Sequence, residues 1–144
     1  MSEQPSGSMV FDTGVMVELV KGSKLALGLK GRIEGGAVLP HLGEINMAEL
    51  SYLVCRRGGW QRASKVTALI RDSGYFSIHP DSAFLEHVGR LKCDRSISLV
   101  DCITIAMGEN LSMPVLFARH ERELDAERRK EPFKTDLKFL EDLE

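Results

Sequence analysis

The chain of 144 residues is poor in the groups that staple a small fold together. Its three cysteines, Cys55, Cys93 and Cys102, are odd in number, and no two have the short spacing of a zinc site or redox motif. A disulfide scaffold is thereby excluded. Cys55 and Cys102 fall in apolar helical runs, where cysteine acts as a small buried hydrophobe. No apolar run approaches the roughly 20 residues that span a bilayer, so a membrane helix is excluded as well. The N-terminal MSEQPSGSM lacks the basic start and apolar centre of a secretory signal, and a cytoplasmic setting is expected. Its polar, Pro/Gly/Ser-containing composition reads residues 1–8 as a disordered leader or cloning remnant, with Met9 as an alternative start. Net charge is only −2, too balanced for a protein that coats nucleic acid by bulk charge. Internal repeats and heptad arrays are also missing.

What remains is the composition of a soluble globular protein, 43% hydrophobic and 28% charged, at the size of one domain. A single domain over residues 9–144 is expected. Val10 to Asp12 reads as a buried strand ending at an acid. Val15 to Leu29 reads as a helix with Val15, Leu19 and Leu27 inward and Glu18, Lys21, Lys24 and Lys30 outward. Ala37 to Leu39 is a second strand, which Pro40 is expected to end. Ile45 to Cys55, Gln61 to Asp72 and Asp81 to Leu91 have helical spacing; Tyr75 to His79 and Pro114 to Ala118 read as strands. Ser96 or Ser98 can cap a central helix that runs to about Leu111. A charged helix starts near Glu121, and Lys134 to Leu140 reads as an edge strand or a last helical turn. Strand and helix alternate throughout, which predicts an α/β domain with a parallel sheet between helical layers. The cleft of such a sheet lies at the carboxyl ends of its strands. Asp12 sits at one such end, and residues 119–123 follow another.

Three acids stand out because their surroundings offer no base. Asp101 lies inside ISLVDCITIAM, a stretch apolar on every side of a helix and therefore buried. Asp12 closes the run MVF and precedes TGVMV; Glu49 sits within INMAELSYLV. A buried carboxylate must neutralise, pair or bind a metal. Asp12 could instead cap the helix that follows it, and Glu49 could lie on an exposed stripe. The three together predict convergence on a shared hard cation, Mg²⁺ or Mn²⁺, since no His or Cys is close in sequence. Positive charge gathers elsewhere: Arg56, Arg57, Arg62, Lys65 and Arg71 meet only Asp72 between residues 54 and 73. That arm is either a phosphate-binding surface or a solvated helix face.

The series MVFDTGVMVEL, INMAEL and SISLVDCITIAMGENLSMPVLF, from about Val10 to at least Leu124, resembles the PIN-domain nucleases, especially the VapC-like toxins of toxin–antitoxin pairs. The resemblance implies a three-layer α/β/α sandwich with a short, mostly parallel central sheet. It implies metal-dependent RNA cleavage that leaves a 3′-hydroxyl and a 5′-phosphate, with Mg²⁺ or Mn²⁺ as cofactor. Asp12, Glu49 and Asp101 match the family's metal-binding acids; Thr13 and Ser98 match its supporting hydroxyl positions. A homodimer and a separate antitoxin that inserts into the cleft are implied as partners.

The chain departs from the family at two places. Gly14 stands where Asn is frequent after Asp-Thr. The fourth acid, expected in a Thr-x-Asp after the last strand of the motif, aligns with Arg119 in FARHEREL. Glu121 is taken as the substitute fourth acid, with Glu123 next. Arg119 and Arg122 are candidate RNA contacts at the cleft mouth, with Arg56 and Arg57 candidates further away. His120 is either a helper in protonation or substrate contact, or an inert loop residue. Two other functions fit a damaged metal site or a missing antitoxin: an inactive RNA- or protein-binding module, and an RNA-processing nuclease. The triplet Asp12-Thr13-Gly14 also occurs in aspartic proteases, but the helical spacing after it speaks against that nearly all-β enzyme.

Overall fold

A computed structural model describes residues 4–143 of the chain. It contains five strands, β1 (Gly7–Phe11), β2 (Val38–Gly43), β3 (Ser77–His79), β4 (Val115–Phe117) and β5 (Leu137–Phe139), and seven helices. The helices are α1 (Thr13–Lys21), α2 (Lys24–Glu34), α3 (Glu44–Gly58), α4 (Trp60–Asp72), α5 (Leu85–Asp94), α6 (Leu99–Leu111) and α7 (Arg122–Lys130). Short 3₁₀ turns precede α5 and follow β5. The strands pair in the order β3-β2-β1-β4-β5, and every pairing is parallel. The α/β sandwich expected from the alternation is the observed one.

Alternate side chains of each strand leave the sheet on opposite faces. Met9, Phe11, Leu42 and Leu116 enter one core with Val15, Met16, Leu29, Met47 and Leu50 of α1–α3. Val10, Val115 and Phe117 enter the other with Val88 of α5, Ile105 and Met107 of α6 and Leu124 of α7. Both faces being covered explains why the strands read as unbroken apolar runs rather than alternating ones. In α6, the eight residues Asp101 to Gly108 are all buried, as an all-round apolar helix requires.

Several local expectations change. The helix expected over Val15 to Leu29 is two, because Gly22 takes the left-handed conformation (φ 65°) that closes α1. The break turns the second half, so that Leu27 is 62% exposed while Ala26, Leu29 and Ile33 face the core. Glu18, expected outward, is 4% exposed and is accounted for below. Pro40 does not end β2, which continues to Gly43. Its partner in β1 is Met9, and Gly7 N–H donates to Ala37 O, so the odd residues 37, 39 and 41 bond towards β1. Pro40 therefore aims its missing N–H at β3, whose pairing begins only at His41, and no ladder bond is lost. Of the expected leader, residues 1–3 lie outside the described residues, but Gly7 and Ser8 are already in β1, opposite Val38 and Leu39. Lys134 to Leu140 yields both of its alternatives, a strand and then a 3₁₀ turn.

The junction of α6 and β4 is tightly packed. A Cβ on Gly108 would land on the Val115 methyl and the Met113 carbonyl oxygen. Gly108→Ala gains about 1 kcal/mol of helix propensity but overpacks by about 1–3 kcal/mol. We expect a net fall in melting temperature of about 2–6 °C, measured by thermal unfolding; an increase would show that the helix can shift away from the strand at no cost.

Candidate active site

β1 is the central strand: the chain runs from it to β2 and β3 on one side, then crosses back to β4 and β5 on the other. A crevice opens at such a reversal, at the carboxyl end of the strand. Asp12 stands there. Its backbone is extended (φ −72°, ψ 157°), it caps α1, and its Oδ2 accepts the Gly14 N–H at 3.3 Å. The capping role and the cluster role, set apart in the sequence, belong to the same side chain. Asp101 is in the first turn of α6, which Ser98 caps by accepting the Asp101 N–H at 3.1 Å; the residue is 8% exposed. Glu49 lies half-buried on α3, and Glu121 is exposed just before α7.

The charges of these residues act on one another. Burial, then Asp101, Glu49 and Glu121, push the Asp12 carboxyl up to about 7, against the Gly14 N–H, which favours the anion. Asp101 is pushed up to about 6 by burial, with Glu121, Glu49 and Glu123 adding to it and Ser98 opposing. Four acids from β1, α3, α6 and the loop after β4 thus share one field, with Glu123 at its edge. Asp101, Glu121 and Glu123 also line a recess of about 700 Å³, together with Ser98, Lys92 and Arg95.

Beneath the acids lies a polar knot that the sequence reading overlooked. Asn46, fully buried, donates to Thr13 Oγ1 at 3.0 Å and Thr104 Oγ1 at 3.2 Å, and its Oδ1 accepts the Gly43 N–H at 3.3 Å. Thr104 Oγ1 in turn lies 3.4 Å from Asp12 Oδ1. The knot ties α1, α3 and α6 together under the site, with each member's buried polar atoms satisfied. A signal existed: Asn46 precedes Glu49 by three residues and Thr104 follows Asp101 by three, the spacing of one helix face.

Most cations near the recess are committed to the protein. Lys92 donates to Ile97 O at 2.7 Å, and Arg95 to Glu127 O and Glu131 O while covering the Phe133 ring. Arg119, an expected RNA contact, pairs at 2.7 Å with the buried Glu18. Ser23 and Arg119 hold the Glu18 carboxyl below its usual range, so Glu18 is a buried anion that needs its arginine. Arg122 is exposed and has no ion-pair partner among the described residues. His120 is held in place: it stacks on Phe139 and bonds Asp125 at 3.0 Å and Asp142 at 2.7 Å, and these carboxylates raise its pKa.

The oxygen-only donor set and the repulsion within it fit a hard divalent cation. The central acids do not crowd together. Among the described residues, the group of three whose ligand atoms lie within 4.8 Å of one another is the exposed His120, Glu141 and Asp142.

The PIN domain family model matches residues 9–127. The chain belongs to the PIN domain family. Its fold is similar to that of VapC20 from Mycobacterium tuberculosis, a sarcin–ricin-loop-cleaving toxin, at 18% identity and a TM-score of 0.63, over 82% of this chain and 93% of that one. It is also similar to VapBC2 from Rickettsia felis, bound to a fragment of its promoter DNA: 13% identity, TM-score 0.68, 92% and 98% covered. VapBC-1 from nontypeable Haemophilus influenzae matches at 14% identity, TM-score 0.65, 94% and 99% covered. At these identities the likeness is one of fold. No curated protein sequence matches the chain.

In this PIN domain the expected acids Asp12, Glu49, Asp101 and Glu121 act on one another, with Thr13 in the knot and Ser98 capping α6. Arg56 and Arg57 stand at the far end of α3, about 10 Å of helix beyond Glu49.

Holding the half-buried Asp12 and the buried Asp101 as anions opposes folding. The unfolded carboxyl titrates near 3.8, so the folded state binds these protons more tightly, and stability rises as pH falls through about 7 and 6. In EDTA the melting temperature should climb by at least about 5 °C from pH 8 to pH 5. Asp12→Asn should be more stable than the natural chain at pH 8 and lose much of that slope. A pH-independent melting curve for the natural chain would show that the acids do not share a field. Arg119→Ala should lower stability by about 1–3 kcal/mol, seen in urea unfolding, because Glu18 loses its partner; Glu18→Gln in the same background should recover part of the loss.

Proposed function

We propose that this PIN domain is a divalent-cation-dependent endoribonuclease, the toxin of a toxin–antitoxin pair, acting in the cytoplasm as a homodimer and held in check by a separate antitoxin protein. The observation that carries the reading is the shared field of Asp12, Glu49, Asp101 and Glu121, four acids gathered from four distant segments. PIN membership supports nuclease chemistry, and the toxin–antitoxin names of the similar folds support the partner. Among the described residues no helix is long and apolar enough to cross a membrane.

Asp12, Glu49 and Asp101 would hold Mg²⁺ or Mn²⁺, with Glu121 completing the set in place of the acid that Arg119 displaces. The bound cation would neutralise charge on the phosphodiester and activate the attacking water, yielding a 3′-hydroxyl and a 5′-phosphate. The chain's own residues prepare that site. Gly14 N–H and the N-terminal turn of α1 orient Asp12 and favour its anion. Ser98 fixes the first turn of α6 and so Asp101, while the buried Asn46 and Thr104 hold the floor of the site in register. Arg122, exposed beside Glu121, can meet a phosphate at the mouth.

The test is cleavage of single-stranded RNA by purified protein with Mg²⁺ or Mn²⁺. Asp12→Asn and Asp101→Asn should each lose about a hundred-fold or more, and Glu121→Gln less. Activity that survives EDTA, or that is equal in the variants, would sink the assignment. Arg119 at the usual fourth-acid position favours a second reading, a binding module, and Mn²⁺ binding without cleavage would select it. Cleavage in a cell whose growth is unaffected would point to RNA processing.

A further inference from the structure

Three cations around the acidic recess are spoken for, Lys92 and Arg95 by backbone carbonyls and Arg119 by Glu18, which leaves Arg122 as a single exposed charge with no ion-pair partner among the described residues. An RNA chain approaching four carboxylates needs positive charge from elsewhere. The structure offers it at the tip of the α3–α4 hairpin, where Arg56, Arg57, Trp60 and Arg62 are all exposed within Arg56-Arg57-Gly58-Gly59-Trp60-Gln61-Arg62. None of these arginines has an ion-pair partner among the described residues. Trp60 is 62% exposed.

A stripe joins this tip to the acids. Glu49, Tyr52 and Arg56 fall at i, i+3 and i+7 of α3, on one face of the helix. Met47, Leu50 and Val54 are buried on the side turned away from it, and the buried Asn46 lies between the two. Glu49 belongs to the acidic set, Tyr52 is 43% exposed, and the Arg56 guanidinium lies over the Tyr52 ring at 4.7 Å. Arg56 is exposed and pairs with no acid among the described residues, so its guanidinium is available to a phosphate. From Glu49 to Arg56 the helix rises about 10 Å. Side-chain rings alternating with guanidinium groups hold unpaired bases and their phosphates, and stacking of this kind requires a base face that a duplex does not offer.

We propose that the face of α3 from Glu49 through Tyr52 and Arg56 to the Trp60 tip is a track for single-stranded RNA. Bases stack on Tyr52 and Trp60, phosphates meet Arg56, Arg57 and Arg62, and the strand is delivered to the acids at the Glu49 end. The choice of RNA rests on the ribonuclease reading above. An acidic protein segment is the rival occupant, and the test separates the two.

The full chain carrying Asp101→Asn would be titrated with a fluorescent single-stranded RNA of about 12 nucleotides in Mg²⁺, and the natural chain assayed for cleavage of the same RNA. Trp60→Ala and Tyr52→Ala should each weaken binding about ten-fold, whereas Tyr52→Phe should retain it. Replacing both Arg56 and Arg57 by Ala should lower the salt dependence of binding by about 1.4 log units per log of salt. In the natural background these losses should appear in KM, with melting temperatures unaltered. Unchanged RNA affinity in the Trp60→Ala and double-arginine variants would overturn the track, as would equal binding of a perfect duplex. Loss of antitoxin binding with RNA binding intact would assign the face to protein and overturn it too. RNA binding that depends on the track in a chain that never cleaves would keep the track and discard the nuclease. Cleavage indifferent to the track would do the reverse.

Discussion

Carboxylates that repel one another are held at the end of one strand, and the rest of the fold is arranged to keep them there. Asp12 and Asp101 are pushed to about 7 and 6 by burial and by their acidic neighbours, which measures how unfavourable the arrangement is without positive charge. Their own segments could not impose it. Asp12 is fixed because β1 is flanked by β2 and β4, and Asp101 because eight consecutive residues of α6 are buried. Apolar burial at about 25 cal/mol per Å² over two cores supplies far more free energy than the clustering of charge removes. The Asn46–Thr13–Thr104 knot adds direction rather than strength, since its hydrogen bonds let three helices meet in one register.

The same electrostatics governs the surface. A recess that is strongly negative must not be neutralised by the protein's own cations if it is to attract a metal ion. Lys92, Arg95 and Arg119 stand close, yet each is turned to a carbonyl or to Glu18. Arg119 is turned to the buried Glu18, which leaves the charge of the loop after β4 to Glu121 and Glu123. At the α3–α4 tip Arg56, Arg57 and Arg62 are exposed and have no ion-pair partner among the described residues, which sets a basic arm against the acidic recess.

The outline of this architecture was legible in the chain. Short apolar runs between helical spacings could only be strands covered on both faces, and the lone acids of MVFD, INMAEL and ISLVD had no local partner. Where the reading failed, the missing information was three-dimensional. Pro40 continues β2 because of which neighbour its N–H would face, a matter of register. Leu27 and Glu18 exchanged their expected sides because Gly22 broke one helix into two and because Arg119, 101 residues further on, meets Glu18 in the fold.

The sequence by itself determined the alternation of strand and helix, the burial of α6 and the identity of the acids, because periodicity and unpaired charge are local properties of a chain. Tertiary structure alone decided that the acids share a field, that Asn46 and Thr104 lie beneath them, and that Arg119 and His120 are engaged elsewhere. Electrostatic coupling and hydrogen bonding depend on distances of a few ångströms, and between residues a hundred positions apart only the packed sheet and its helices fix such distances.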